Sequence, residues 1–202
     1  MNHYFSRSSV VAGLLLLGLI HPAVAPASDI ESFFSPHGGC SAAIVSEIEK
    51  AQSSILVQIY SISQPNITAA LIDAHARGVA VLIVVDRSQT NDFSSSAPKL
   101  FAAGIPIVCD RVEKINHNKT MIIDNSVVVC GSFNFSESAE SKNAENLLVI
   151  RDPITAAAFS QDWKKHHDHS DVYNVVHSSA RDRYKKPSVP LPPLHNRPKK
   201  EP

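Results

Sequence analysis

The chain has 202 residues with nineteen basic and nineteen acidic side chains, so its formal net charge is zero. Its length suffices for one domain with a real core. Three cysteines exclude more than one intrachain bridge, and their spacing, Cys40, Cys109 and Cys130, matches no zinc pattern.

In chain order, Arg7 precedes an uncharged apolar run from Val10 to Ile20, and small residues follow it, AVAPAS. The run is about 11 residues long, whereas a spanning helix needs roughly 20, so residues 1–27 read as a secretory signal peptide cleaved near Ala27. The mature chain is then expected to be periplasmic or secreted.

Helical spacing of apolar residues predicts a helix from Cys40 to Ala51, a strand from Ser54 to Tyr60, and a helix from Asn66 to Arg77 closed by Gly78. Val79 to Val85 is a wholly apolar strand. A buried strand fed by a helix and preceded by another strand is the βαβ signature of a sheet covered on both faces. A further helix ends at Ala103, and Ile105 to Cys109 is a short strand.

Next comes HNKTMIIDNSVVVCGSFNFS, His117 to Ser136, in which Asp124-Asn125-Ser126 is turn chemistry between two β-branched runs. Residues i and i+2 of a strand share a face, so His117 and Lys119 project together. Folding back about Asn125 sets 119 opposite about 131, and 117 opposite about 133. Gly131-Ser132-x-Asn134 thereby returns beside the His and the Lys. Asp124 lies about 16 Å along the strand from Lys119 and reads as a turn or buried-pair carboxylate.

Ser136 to Ser141 is helical, Asn146 to Ile150 a strand, and Pro153 to His166 a helix with Pro in its first turn and Trp163 as core packing. The prediction is an α/β fold, a single-domain α/β/α sandwich with a mixed, mostly parallel central sheet over residues 28–169. Residues 170–202 are expected to form a disordered basic, Pro-rich tail. Residues 181–202 hold seven Lys or Arg against two acids, a charge of about +5. That tail can meet nucleic acid or anionic lipid by counterion release, although a solubilising end is the preferred reading. No internal repeat is visible.

A neutral His is a nucleophile or base, Lys a fixed positive charge, and Ser and Asn donate hydrogen bonds to oxygens. Gly131 allows close approach of backbone to a ligand. Together these describe a small pocket for an anionic tetrahedral group such as phosphate.

Three features compete for function. His166, with His169 three residues on, has spacing that can bind a metal, but His166-His167-Asp168-His169 ends a helix, where His suits the negative dipole, and a solvated terminus is preferred. No metal or other cofactor is assigned. Arg87, Arg111, Lys114 and Lys142 are rim candidates whose default is surface solvation. Cys109 and Cys130 end apolar runs and are expected as small buried hydrophobes rather than as a bridge.

His117, Lys119, Asp124, Gly131-Ser132 and Asn134 reproduce the HxK, four residues, D, six residues, GS motif, so the chain resembles the phospholipase D superfamily. The resemblance runs from about Phe33 to Asp168 and is strongest with that superfamily's short bacterial endonucleases. It implies a metal-independent phosphodiesterase in which His117 attacks phosphorus and forms a phosphohistidine. Lys119, Ser132 and Asn134 would hold the non-bridging oxygens, and Glu145 would accept a hydrogen bond from the other imidazole nitrogen. The family's site needs two such histidines, so a chain with one motif is expected to complete it as a homodimer. The function expected is a nonspecific endonuclease acting on DNA or RNA. The alternatives are a phospholipase D acting on phosphatidyl head groups, for which the sequence shows no exposed apolar lip, and a non-catalytic nucleic-acid-binding protein.

Overall fold

The computed structural model describes residues 29–174. The signal-peptide reading and the tail reading beyond residue 174 lie outside the described residues. Within them no helix is long and apolar enough to cross a membrane.

Eight strands form one sheet: β1 Asp29–Ser35, β2 Ser54–Ile59, β3 Ala80–Asp86, β4 Ile107–Asp110, β5 Lys119–Ile123, β6 Val127–Gly131, β7 Glu145–Arg151 and β8 Asp171–Val172. Their order across the sheet is β1-β7-β6-β5-β2-β3-β4-β8. The mixed α/β fold is as expected, but the balance of directions is not. Only β2 with β3 and β3 with β4 run parallel, and the other pairings are antiparallel. The parallel pairs are those joined by helical crossovers, whereas the hairpin of β5 and β6 and the return through β7 are antiparallel connections.

Helices α1 Cys40–Lys50, α2 Pro65–Ala76, α3 Ala97–Ala102 and α4 Glu137–Ser141 cover one face, where Ile44, Ile48, Ile67, Leu71, Leu100 and Ala139 join one buried cluster. Helix α5, Pro153–His169, covers the other face through Ala156 and Trp163, against Leu56, Leu82, Val108 and Ile122. The strands of a sheet covered on both sides are buried throughout, and β2 and β3 are apolar nearly end to end for that reason. Asp152 caps α5 by accepting a 2.8 Å hydrogen bond from the Thr155 amide, and Pro153 occupies the first turn. Trp163 is buried as expected, and its indole N–H donates to the Val57 carbonyl at 2.9 Å.

At both ends the sheet takes up segments that the sequence pattern leaves unassigned. DIESFFS shows no alternation, yet it pairs with β7 along its whole length, from Asp29↔Arg151 to Ser35↔Glu145. Strand β8 pairs with β4, and Tyr173 is buried against the first cluster, so the boundary expected at residue 169 moves outward. All three cysteines are free. Cys109 packs on the first face and Cys130 against the second, in strands separated by β3, β2 and β5, so they cannot meet.

Candidate active site

The hairpin of β5 and β6 has the expected register. Thr120↔Cys130 through Ile123↔Val127 are partners, which places Lys119 opposite Gly131 at the open end. The turn is tight because Asp124 and Asn125 both adopt φ near 50°, the left-handed conformation of a two-residue hairpin turn that Asp and Asn tolerate best.

His117, Lys119, Gly131, Ser132, Asn134 and Glu145 line one pocket of about 290 Å³. Lys119 is only 6% exposed, and its ammonium donates to the His117 carbonyl at 2.7 Å. Burial pushes that ammonium below the ordinary lysine range, while the carboxylates of Glu145 and Asp86 pull it back. Tyr60, just after β2, lies under both groups. Its ring centre is 4.8 Å from that of His117 and 5.1 Å from the Lys119 nitrogen.

A buried polar chain fixes the approach to His117. Asp86, at the end of β3, accepts from the Asn116 amide at 2.8 Å and from the Ser88 amide at 2.8 Å. The Asn116 side chain accepts from Gln58 at 3.1 Å and from Asn118 at 3.3 Å. The loop that delivers His117 is therefore tied to β2 and β3, two central strands. His117 itself is exposed.

In this structure the polar groups of the pocket pair with one another. Glu145 is in the pocket, but among the described residues its carboxylate is held by the Ser132 hydroxyl at 2.6 Å and the Asn143 amide at 3.0 Å, not by the His117 ring. The Ser132 hydroxyl thus already spends its proton on Glu145, and its oxygen accepts from the Asn146 amide at 3.1 Å. Gly131 makes a close approach to the backbone of Asn146. At φ 153°, a Cβ there would lie 2.3 Å from the Asn146 carbonyl oxygen. Asn134 keeps an oxygen that is buried without a hydrogen-bond partner.

Asp124 is far from this pocket and serves the fold. Its carboxylate accepts from the backbone amides of Gln52, Ser53 and Ser54 at 2.8–2.9 Å and from the Ser53 hydroxyl at 2.7 Å. Partial burial raises its pKa, but these four donors outweigh it and hold the carboxyl below the ordinary aspartate range.

Of the rim candidates, Arg87, Arg111, Lys114 and Lys142 are all exposed, and Arg111 lies 3.8 Å from the Asp171 carboxylate. The expected solvated terminus at His166 and His169 is corrected, because both rings pack against the buried carboxylate of Asp110. Tyr60 carries no functional signal in the sequence beyond being an aromatic residue at the end of the strand beside β5.

A family model described as cardiolipin synthase, PLD-like domain, matches residues 44–167. The phospholipase D of Rickettsia conorii is 43% identical over 136 residues, covering 67% of this chain and 68% of that protein. The mitochondrial cardiolipin hydrolase of Xenopus tropicalis is 28% identical over 116 residues, 57% of this chain and 55% of that one. The solved structure of Nuc, a phospholipase D family member from Salmonella typhimurium, superposes with a TM-score of 0.70 at 35% identity, covering 73% of this chain and 99% of Nuc. With the HxK and GS elements converging on one pocket and these similarities spanning the domain, the chain belongs to the phospholipase D superfamily and is a phosphodiesterase of that superfamily.

Proposed function

We propose that the protein is an exported, metal-independent endonuclease that cleaves DNA, and RNA by the same chemistry, with little sequence preference. The observation that carries this reading is the lining of the pocket, in which every residue is polar or glycine. Such a site recognises a phosphodiester and offers no apolar wall for acyl chains, and contacts to phosphate carry no base information. The domain-long likeness to Nuc supports it, since the motif segment resembles the superfamily's short endonucleases.

In this mechanism the imidazole of His117 attacks phosphorus, and Lys119 and Asn134 hold the non-bridging oxygens. Ser132 joins them by turning its hydroxyl away from Glu145. A second histidine must protonate the leaving oxygen, and a second copy of the chain, related by a two-fold axis, supplies it. Water then releases the phosphohistidine. One motif per chain and no repeat support the dimer.

A specific observation favours a second reading, phospholipase D activity. Val112 and Ile115 are 63% and 51% exposed on the loop that leads into His117, two apolar side chains open to solvent on the chain segment just before the motif. The name carried by the Rickettsia relative points the same way. Purified protein in excess EDTA decides between them. Plasmid DNA should be degraded and His117→Ala should be inert but still dimeric. Release of head group from phosphatidylcholine vesicles without cleavage of DNA or RNA would overturn the nuclease assignment, and activity surviving in His117→Ala would overturn the mechanism.

A further inference from the structure

We propose that Asp110, His166 and His169 form a binding site for a divalent transition metal of the zinc type, separate from the phosphodiesterase pocket. The three residues come from two elements that only the fold brings together. Asp110 ends β4, and His166 and His169 share one side of the last turn of α5.

The geometry suits a four-coordinate ion. His166 Nδ1 is 2.9 Å from Asp110 Oδ2, and His169 Nε2 is 3.3 Å from Asp110 Oδ1. One ligand atom from each residue lies within 4.8 Å of the other two. Ligand atoms about 2.0–2.2 Å from zinc in a tetrahedral site stand roughly 3.3–3.5 Å apart, so small side-chain shifts suffice. Three protein ligands leave a fourth position for water.

Hydrogen bonding alone leaves this cluster incomplete. The Asp110 side chain is fully buried, while the His166 and His169 side chains are 12% and 25% exposed. His166 makes a hydrogen bond with the carboxylate. His169 Nε2, though close to it, is a buried nitrogen without an aligned hydrogen bond. At 3.3 Å, that nitrogen and the carboxylate oxygen have the spacing of two ligands of one ion.

The outer contacts are those of a metal site. Asp110 Oδ1 accepts from the Val112 and Glu113 amides at 3.0 and 3.4 Å, which fixes the carboxylate. The other nitrogen of His166 lies 3.8 Å from the Asp162 carboxylate, which a small side-chain rotation would bring into the carboxylate–imidazole pairing that orients histidine ligands.

The site is distinct from the pocket. Lys119 shares the strand face of Met121 and Ile123, which pack with α1 to α4, whereas Asp110 shares that of Val108, which packs with α5. Strands β2 and β3 also intervene between β4 and β5, about 14 Å in all. A bound ion would pin the end of α5 to the sheet and leave the phosphate chemistry metal-independent.

The test uses chelator-treated whole protein titrated with Co(II), a spectroscopic stand-in for Zn(II), followed by Zn(II) competition. We expect one Co(II) per chain with the visible bands of a four-coordinate N/O site, displaced by zinc and lost in both His169→Gln and His166→Ala. At a hundredfold excess over Kd, zinc should raise the melting midpoint of the parent protein by about 5–10 °C and leave His169→Gln unmoved. Parent protein that takes up no stoichiometric Co(II) or Zn(II) would overturn the proposal, as would variants that bind as the parent does.

Discussion

Replacing Asp124 by Asn tests whether the third letter of the motif serves the fold or the reaction. Its two oxygens receive three backbone N–H groups and one hydroxyl from the β2 entry, Gln52 to Ser54. Hydrogen bonds to a charged acceptor contribute about 1.5–3 kcal/mol each when buried, and less where water can replace them, as at this half-exposed turn. Asn keeps the left-handed turn conformation and one acceptor oxygen, but turns an NH₂ toward the donor it no longer satisfies. The expected cost is about 2 kcal/mol, or roughly 4–8 °C in melting midpoint for a domain of this size. Alanine strips all four partners and dislikes the positive φ, so it should cost about 4 kcal/mol.

The pH dependence has a definite sign. A carboxyl held below its unfolded pKa stabilises the fold above that unfolded value and loses the contribution as pH falls through the folded one. The stability gap between parent and Asp124→Asn should therefore be full at pH 7 and close below about pH 4. Urea unfolding at pH 3, 5 and 7 measures it, alongside kcat well below the melting range. A gap that is equal at pH 3 and 7 would refute the structural argument. So would a hundredfold loss of kcat with unchanged stability, which would return Asp124 to the chemistry.

Tyr60→Ala removes the ring under both His117 and Lys119 and should lower kcat about tenfold, while Tyr60→Phe keeps the ring and should act nearly as the parent; steady-state kinetics on DNA distinguish them. Because burial depresses the Lys119 ammonium, the alkaline limb of the rate profile should fall below the free-lysine range, as read from kcat/KM between pH 7 and 11. Asp86→Asn weakens the acceptor for the Asn116 and Ser88 amides and should reduce kcat at least tenfold with little change in KM, since it displaces the loop ahead of His117 rather than a substrate contact. Gly131→Ala forces a methyl against the Asn146 carbonyl and should cost about 2 kcal/mol or more in a urea titration.

The half-site was legible because its parts are local. Turn chemistry at Asp124-Asn125 and two β-branched runs fix the register of β5 on β6, and register alone brings Lys119 to Gly131. What stayed hidden depends on contacts between distant segments. Tyr60 matters because β2 lies beside β5, with Ile59↔Lys119 in register, and no spacing rule links residues 60 and 119. The role of His169 depends on Asp110, which is 59 positions earlier and reads alone as an ordinary strand-end carboxylate. Strand β1 escaped notice because an edge strand exposed along most of its length carries no alternation to detect. Strand direction was not legible, because a buried antiparallel strand is as uniformly apolar as a parallel one.

The hydrogen bond from Lys119 to the His117 carbonyl uses one of the three protons of the ammonium. The other two stay available to an anion without breaking that contact. One side chain can therefore anchor the backbone of His117 and face the pocket at the same time, so that the position of the imidazole and the position of the positive charge are set together.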